Sequence, residues 1–215
     1  MEDSTSREKV LKKVRDALIE KTELPYPVLD QEAPVYEEIT ENLDIAFAET
    51  LVQIGGKFVY CESEDEFTGL LKSFILDKNW GLIFTQDPVI HELFRAGGIP
   101  FESRKEFLTE AKLGITRCEY LIARLGSVMV SSRLNPGRRI IAFPDTHLVL
   151  AYSSQLVPDL KQALAGIKRK YRDQFPSMIS IITGPSRTAD IEKTLVMGAH
   201  GPKEFYVFLI DDTTS

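Results

Sequence analysis

Cysteine is scarce in this 215-residue chain: Cys61 and Cys118 are its only two, and they have no C-x-x-C spacing. They read as reduced, buried thiols of a cytoplasmic protein. The three histidines, His91, His147 and His200, lie far apart with no ligand-like spacing, so no metal and no cofactor is expected. No apolar run approaches the roughly 18 residues of a membrane span. A start with a basic segment and an apolar core is also missing, so no signal peptide is expected. Lys and Arg are absent from Glu23 to Glu49, a stretch that carries eight acids. The net charge of −6 and pI near 5.2 argue against a nucleic-acid binder. The one basic cluster, Lys168-Arg169-Lys170 with Arg172, falls at the end of a predicted helix, where cations complement the dipole. There is no G-x-x-x-x-G-K-S loop, no G-x-G-x-x-G and no Ser-His-Asp spacing.

What is present is the composition of a soluble α/β domain, 43% hydrophobic and 27% charged, long enough for one substantial core. Residues 5–21 predict a helix with Val10, Leu11, Val14 and Leu18 on one stripe. Pro25, Pro27 and Pro34 then favour an extended acidic arm, either a connector along the domain edge or a strap for a basic partner. The chain divides into this N-terminal arm, 1–39, and a single α/β domain, 40–215. Residues 40–56 predict a helix burying Leu43, Phe47, Leu51 and Ile54. Strands follow at 57–60, 81–84, 99–101 and 113–116. Between them lie a helix opened by the box Ser63-Glu64-Asp65-Glu66 and one opened by Pro88. This alternation implies parallel pairing with helices on the sheet faces. Strands at 128–130, 139–143 and 147–152 are joined by short turns, so this part is expected to be antiparallel or mixed. Pro158 opens a helix with Leu160, Leu164, Ile167 and Tyr171 on one face.

Residues 178–210 hold the most distinctive stretch. Met178 to Thr183 reads as a buried strand, Gly184-Pro185 breaks it, and Phe205 to Ile210 reads as another buried strand. Between them Thr188 can cap a short helix, with Asp190 and Glu192 in its first turns and Gly198 closing it. Gly184, Ser186, Arg187 and Thr188 would then gather hydroxyls, a guanidinium and backbone N–H groups at a helix N-terminus, an arrangement that holds phosphates and carboxylates. The alternative is that Ser186 and Thr188 only cap while Arg187 pairs with a nearby acid.

The run Gly184-Pro-Ser-Arg-Thr-Ala-Asp-Ile-Glu192, followed by Met197-Gly-Ala-His-Gly-Pro202, resembles the C-terminal signature of the LUD-domain family, the lactate-utilisation protein C group. The resemblance implies a mixed-sheet α/β fold like that of sugar-phosphate isomerases and coenzyme A transferases, here with an N-terminal helical arm. It also implies a cytoplasmic role in oxidation of L-lactate to pyruvate beside iron–sulfur partner subunits. Two unpaired cysteines cannot ligate a cluster, so redox chemistry would sit on those partners. By the same analogy three loops converge on a small anionic ligand: 125–127, 144–147 and 184–188 with His200 nearby. Arg187 would take the anion, assisted by Gly184, Ser186 and Thr188. Where the family carries Ala-(Glu/Asp)-Thr-Gly-Thr, this chain reads Ala123-Arg124-Leu125-Gly126-Ser127. Arg124 can bind an anion but cannot act as base or nucleophile. Candidate proton-transfer groups are His200, Asp145 and His147, with Glu119 a weaker one. His147 alternatively is an ordinary residue of an edge, and His200 a stabiliser of its turn. The alternative function is a stand-alone transferase or isomerase acting on a phosphorylated or coenzyme A-linked carboxylate.

Overall fold

A computed structural model describes residues 5–19, 36–135, 138–189, 195–198 and 200–213. The chain forms two compact units that divide after Glu38. The first contains helix α1, Ser6–Ile19. Thr5 and Glu8 cap it reciprocally: the Glu8 amide donates to Thr5 Oγ1 (3.3 Å) and the Thr5 amide to Glu8 Oε2 (2.7 Å). Those bonds hold the Glu8 carboxyl below its ordinary range. Val10, Leu11, Val14 and Leu18 are exposed. The proline-bearing stretch 20–35 lies outside the described residues.

In the second unit the runs of β-branched and aromatic residues become β1 (Lys57–Cys61), β2 (Ile83–Phe84), β3 (Leu113–Arg117), β6 (Thr146–Tyr152) and β11 (Glu204–Ile210). They form one wholly parallel sheet in the order β1-β11-β6-β3-β2. On one face lie α3 (Glu64–Lys78) and α4 (Pro88–Gly97), which pack Phe67, Leu71, Ile90 and Phe94 against Ile115, Leu148, Leu150 and Phe208. Ser63 caps α3 by accepting from the Glu66 amide (3.2 Å). Glu66 reaches back to the Glu62 amide (2.6 Å), one residue beyond the usual box partner. Pro88 stands in the first turn of α4, behind the Asp87 cap.

The opposite face carries α2 (Leu43–Gln53) and a second, four-stranded sheet. Its order is β7-β4-β5-β8, formed by Leu156–Val157, Tyr120–Ile122, Ser127–Ser131 and Ile179–Ile182. Helix α5 (Leu160–Lys170) covers this sheet with Ala163 and Ile167 against Ile122 and Met129. The order through the unit is therefore helices, parallel sheet, α2 with the mixed sheet, and α5. The expected mixed α/β architecture is the observed one.

Five local expectations are corrected. The described residues of 187–198 form no helix: β9 (Arg187–Ala189) pairs antiparallel with β10 (Leu195–Met197), and Gly198, at φ +76°, follows β10. Asp190 and Glu192 lie outside the described residues. Residues 139–143 are successive turns, because the Ala142 and Phe143 amides both return to the Arg139 carbonyl (3.0 Å each). That fold-back sets Ile140 and Pro144 over Gly114, where a Cβ would stand 2.6 Å from Pro144 Cγ. Residues 99–101 make no strand, only a bridge between Phe84 and Glu102. In α5 the buried stripe is Ala163, Gly166 and Ile167, and Leu164 is exposed, because Tyr120 occupies the space beside Gly166. Strand β8 is an edge strand and half-buried, where a fully buried one was expected.

Candidate functional site

Glycines at three positions let separate loops close on the end of α2. Gly55 and Gly184 both have positive φ, +85° and +76°. A Cβ on Gly184 would lie 2.9 Å from the Ile54 carbonyl oxygen, and one on Gly55 would collide with the Arg187 guanidinium. Gly126, at φ +56°, lies against the backbone of Thr50 and Leu51, 2.5 Å from the Leu51 nitrogen to its missing Cβ. The loops are then stitched by hydroxyls: Ser127 Oγ and Thr183 Oγ1 stand 2.9 Å apart. Arg187 donates from Nη2 to the Ile54 carbonyl, so a cation sits at the negative end of α2.

Ser186 ties this cluster to the turn before β11. Its amide donates to the Pro202 carbonyl (2.9 Å) and its carbonyl accepts from the Gly198 amide (3.0 Å). His200 is exposed in that turn, and Gly201 leaves room for the Ser186 side chain. Two residues further, Lys203 donates its amide to the Asp145 carbonyl (2.7 Å). The Asp145 carboxylate meets two lysines, Lys112 Nζ at 2.9 Å and Lys203 Nζ at 3.2 Å. The hydrogen bonds from Lys112 and Lys203 hold the Asp145 carboxyl below its ordinary range. Beside them Lys57 is ion-paired with Glu204 and donates to the Tyr206 hydroxyl (2.9 Å).

Of the predicted residues, Gly184, Ser186, Arg187 and Asp145 are thus joined through one continuous set of contacts, and His200 stands exposed in the adjoining turn. Thr188 is the middle residue of β9, opposite Val196. Arg124 lies in a single 3-10 turn, Ala123–Leu125, its amide bonded to the Pro158 carbonyl (3.0 Å). His147 is different. It lies one residue into β6, a strand with partners on both sides, and is fully buried beside Phe205. Its Nε2 stands 2.9 Å from Thr116 Oγ1, and burial pushes its pKa down to about 3. Such an imidazole is neutral at physiological pH and has no route to solvent-borne substrate, so neither the edge reading nor proton exchange near neutrality fits it. Glu119 is buried elsewhere, beneath α5, where it accepts from Lys170 Nζ and the Tyr171 hydroxyl (2.8 Å each) and from Ser131.

The cluster also occupies an unexpected end of the sheet. Lys57, Lys112, Asp145 and Glu204 all stand at the amino ends of β1, β3, β6 and β11, whereas ligands of open α/β sheets usually sit beyond the carboxyl ends. Lys57, Lys112 and Lys203 were missed in the sequence because each looks like an ordinary surface lysine. The signal was their common position, at or just before the first residue of a strand; parallel pairing lines such positions up. No group of three His, Cys, Asp or Glu among the described residues is arranged to hold a metal ion. No helix among them is long and apolar enough to cross a membrane.

The family model for the LUD domain matches residues 46–210. The lactate utilization protein C of Bacillus licheniformis is 32% identical over 184 residues, which is 83% of this chain and 74% of that protein. Proteins of the same name from Geobacillus thermodenitrificans and Bacillus subtilis (strain 168) are 40% and 37% identical over 105 residues each. Those two matches span less than half of either relative, 44% in both cases. Among solved structures, a DUF162 family protein from Deinococcus radiodurans superimposes with a TM-score of 0.57 at 18% identity, covering 78% of this chain and 96% of that one. That likeness establishes the shared fold.

Proposed function

The chain belongs to the LUD-domain family, and from that membership we propose that it serves lactate utilisation, as a cytoplasmic subunit or accessory factor in the oxidation of L-lactate to pyruvate. The observation that carries this reading is the similarity to the lactate utilization protein C of Bacillus licheniformis over 83% of the chain. In this reading iron–sulfur partner proteins perform the electron transfer. Cys61 and Cys118 are both buried and unpaired, and two thiols fall short of a four-cysteine ligand set.

The chain's own part is to bind an anion at the loop from Gly184 to Arg187. Support comes from the guanidinium of Arg187, the half-buried hydroxyl of Ser186 and the adjoining lysines. Binding is favoured over catalysis. Asp145 is neutralised by two lysines and His147 is buried, which leaves His200 as the one exposed, unpaired candidate of the predicted proton-transfer set among the described residues.

Two measurements test the reading. Affinity purification of the tagged chain from lactate-grown cells should retain iron–sulfur proteins; a chain that purifies alone and turns over a coenzyme A ester would replace it with the stand-alone enzyme. A thermal-shift screen of wild type and Arg187→Ala against lactate, pyruvate, phosphate and coenzyme A esters tests the anion loop. A ligand at 100 times its Kd adds about 2.7 kcal/mol, roughly 5–10 °C for a chain of this size. A shift of that order in wild type and none in Arg187→Ala is expected.

A further inference from the structure

Among the side chains joined along the amino edge of the parallel sheet, four cations, Lys57, Lys112, Lys203 and Arg187, face two carboxylates, Asp145 and Glu204. The pairing is uneven by construction: Asp145 serves two lysines at once, Glu204 serves one, and Arg187 is spent on an uncharged carbonyl. A monocarboxylate would offset half of that excess; a group carrying two charges offsets all of it. Lys57 and Glu204 balance each other beside Tyr206, on the face of the sheet that carries α3 and α4. The unbalanced charge lies with Lys112, Lys203 and Arg187 around Asp145, where the Lys203 side chain packs on Gly198, whose amide bonds the Ser186 carbonyl. Ser186 adds a hydroxyl with no hydrogen-bond partner among the described residues, next to a turn whose Gly201 lies within 3.1 Å, measured from its missing Cβ, of the Ser186 Cβ.

From this charge pattern we propose that the site takes a dianion of the phosphate-monoester class, held by Lys203 and Arg187 with Ser186, and discriminates against monocarboxylates such as lactate itself. The proposal rests on the anion-loop reading above and extends it to the lysine rim. Lys112 and Asp145 act as positioning residues that hold Lys203 over the loop. A phosphate monoester carries about −1.5 to −2 at neutral pH, with a second pKa near 6.

The test is titration calorimetry of the full chain at fixed ionic strength with phenyl phosphate, inorganic phosphate and lactate. The variants are Lys203→Ala, Lys57→Gln, Arg187→Ala and the remote control Lys72→Ala, each checked for folding by its thermal transition. Phenyl phosphate should bind at least tenfold tighter than lactate. Lys203→Ala should weaken it at least tenfold, and Lys57→Gln and Lys72→Ala should not. Lowering the pH from 7.5 to 5.5 should weaken it several-fold as the ligand loses its second charge. Tighter binding of inorganic phosphate than of the ester would assign the site to the free ion within the same class. Lactate binding as tight as phosphate, or phosphate binding lost only in Arg187→Ala, would overturn the dianion proposal and leave the anion loop standing. No heat with any anion would remove both.

Discussion

Replacing Gly126 by alanine separates two costs that are usually confounded. The residue has φ +56°, where an L side chain costs about 1–2 kcal/mol. Its Cβ would also lie 2.5 Å from the Leu51 nitrogen and 2.7 Å from the Thr50 carbonyl carbon, both main-chain atoms of α2 that no rotamer change can move. Overpacking of this sort adds about 1–3 kcal/mol. The expected loss is therefore about 2–5 kcal/mol, or roughly 5–20 °C in Tm for a chain of this length. Gly98 supplies the control, since it has φ +66° with nothing within 4 Å of its missing Cβ. Gly98→Ala should cost about 1–2 kcal/mol, roughly 2–8 °C, from backbone strain alone. Both are read by differential scanning calorimetry on the same day and buffer. If Gly126→Ala melts no lower than Gly98→Ala, the close seating of the 123–127 loop on α2 is wrong. The account of that loop as a packing element would fall with it.

His147 gives a pH signature. Burial lowers its pKa from 6.5 to about 3, so below pH 6.5 the unfolded chain binds a proton that the folded chain does not. Stability is whole above pH 6.5 and falls by about 1.4 kcal/mol per unit as the pH drops towards 3. The depressed carboxyls of Asp145 and Glu102 act only near and below their unfolded values of 3.8 and 4.5, so the window from pH 6.5 to 5.5 belongs to the histidine. Urea midpoints across that window should slope in wild type and flatten in His147→Gln; equal slopes would refute the assignment. Glu119→Ala removes a fully buried carboxylate from Tyr171, Ser131 and the half-exposed Lys170 and should cost about 1–3 kcal/mol in urea unfolding. A loss under about 1 kcal/mol would show that this carboxylate does not anchor α5 to the sheet beneath it.

The parallel core was readable because its signals agree with one another. The run of 57–60 follows Gly55-Gly56, Ser63 and Pro88 open the next helices, and the runs at 113–116, 147–152 and 205–210 are the apolar strands such a sheet needs. Strand order was not readable, because nothing local tells Phe205 that it will lie between β1 and β6. The hairpin at 187–197 was misread for a different reason. Thr188 with acids two and four residues later satisfies helix-capping preferences, but Leu195-Val196-Met197 is a β-favouring run, and pairing with 187–189 wins. The positive φ expected at Gly198 is present and serves another turn. Half of the site was found through the distinctive Gly184 loop. The lysine rim was hidden because lysine carries no local signature, and only the sheet brings its members into line.

Strand β11 sets the order in which this domain can be assembled. Residues 204–210 are the wedge between β1 and β6, so Lys57–Cys61 has no strand partner in this sheet until a segment roughly 150 residues downstream has been synthesised. On a ribosome adding about 5–20 residues per second, β1 waits many seconds while β2, β3 and β6 can already pair in order along one side. During that wait Phe58 and Val59 stand on an unclosed edge, the kind of surface that chaperones hold and that aggregation exploits. Closure joins the most sequence-distant partners of the sheet in one event. The domain should therefore fold slowly for its size, and lose its tertiary structure altogether when residues 204–210 are removed.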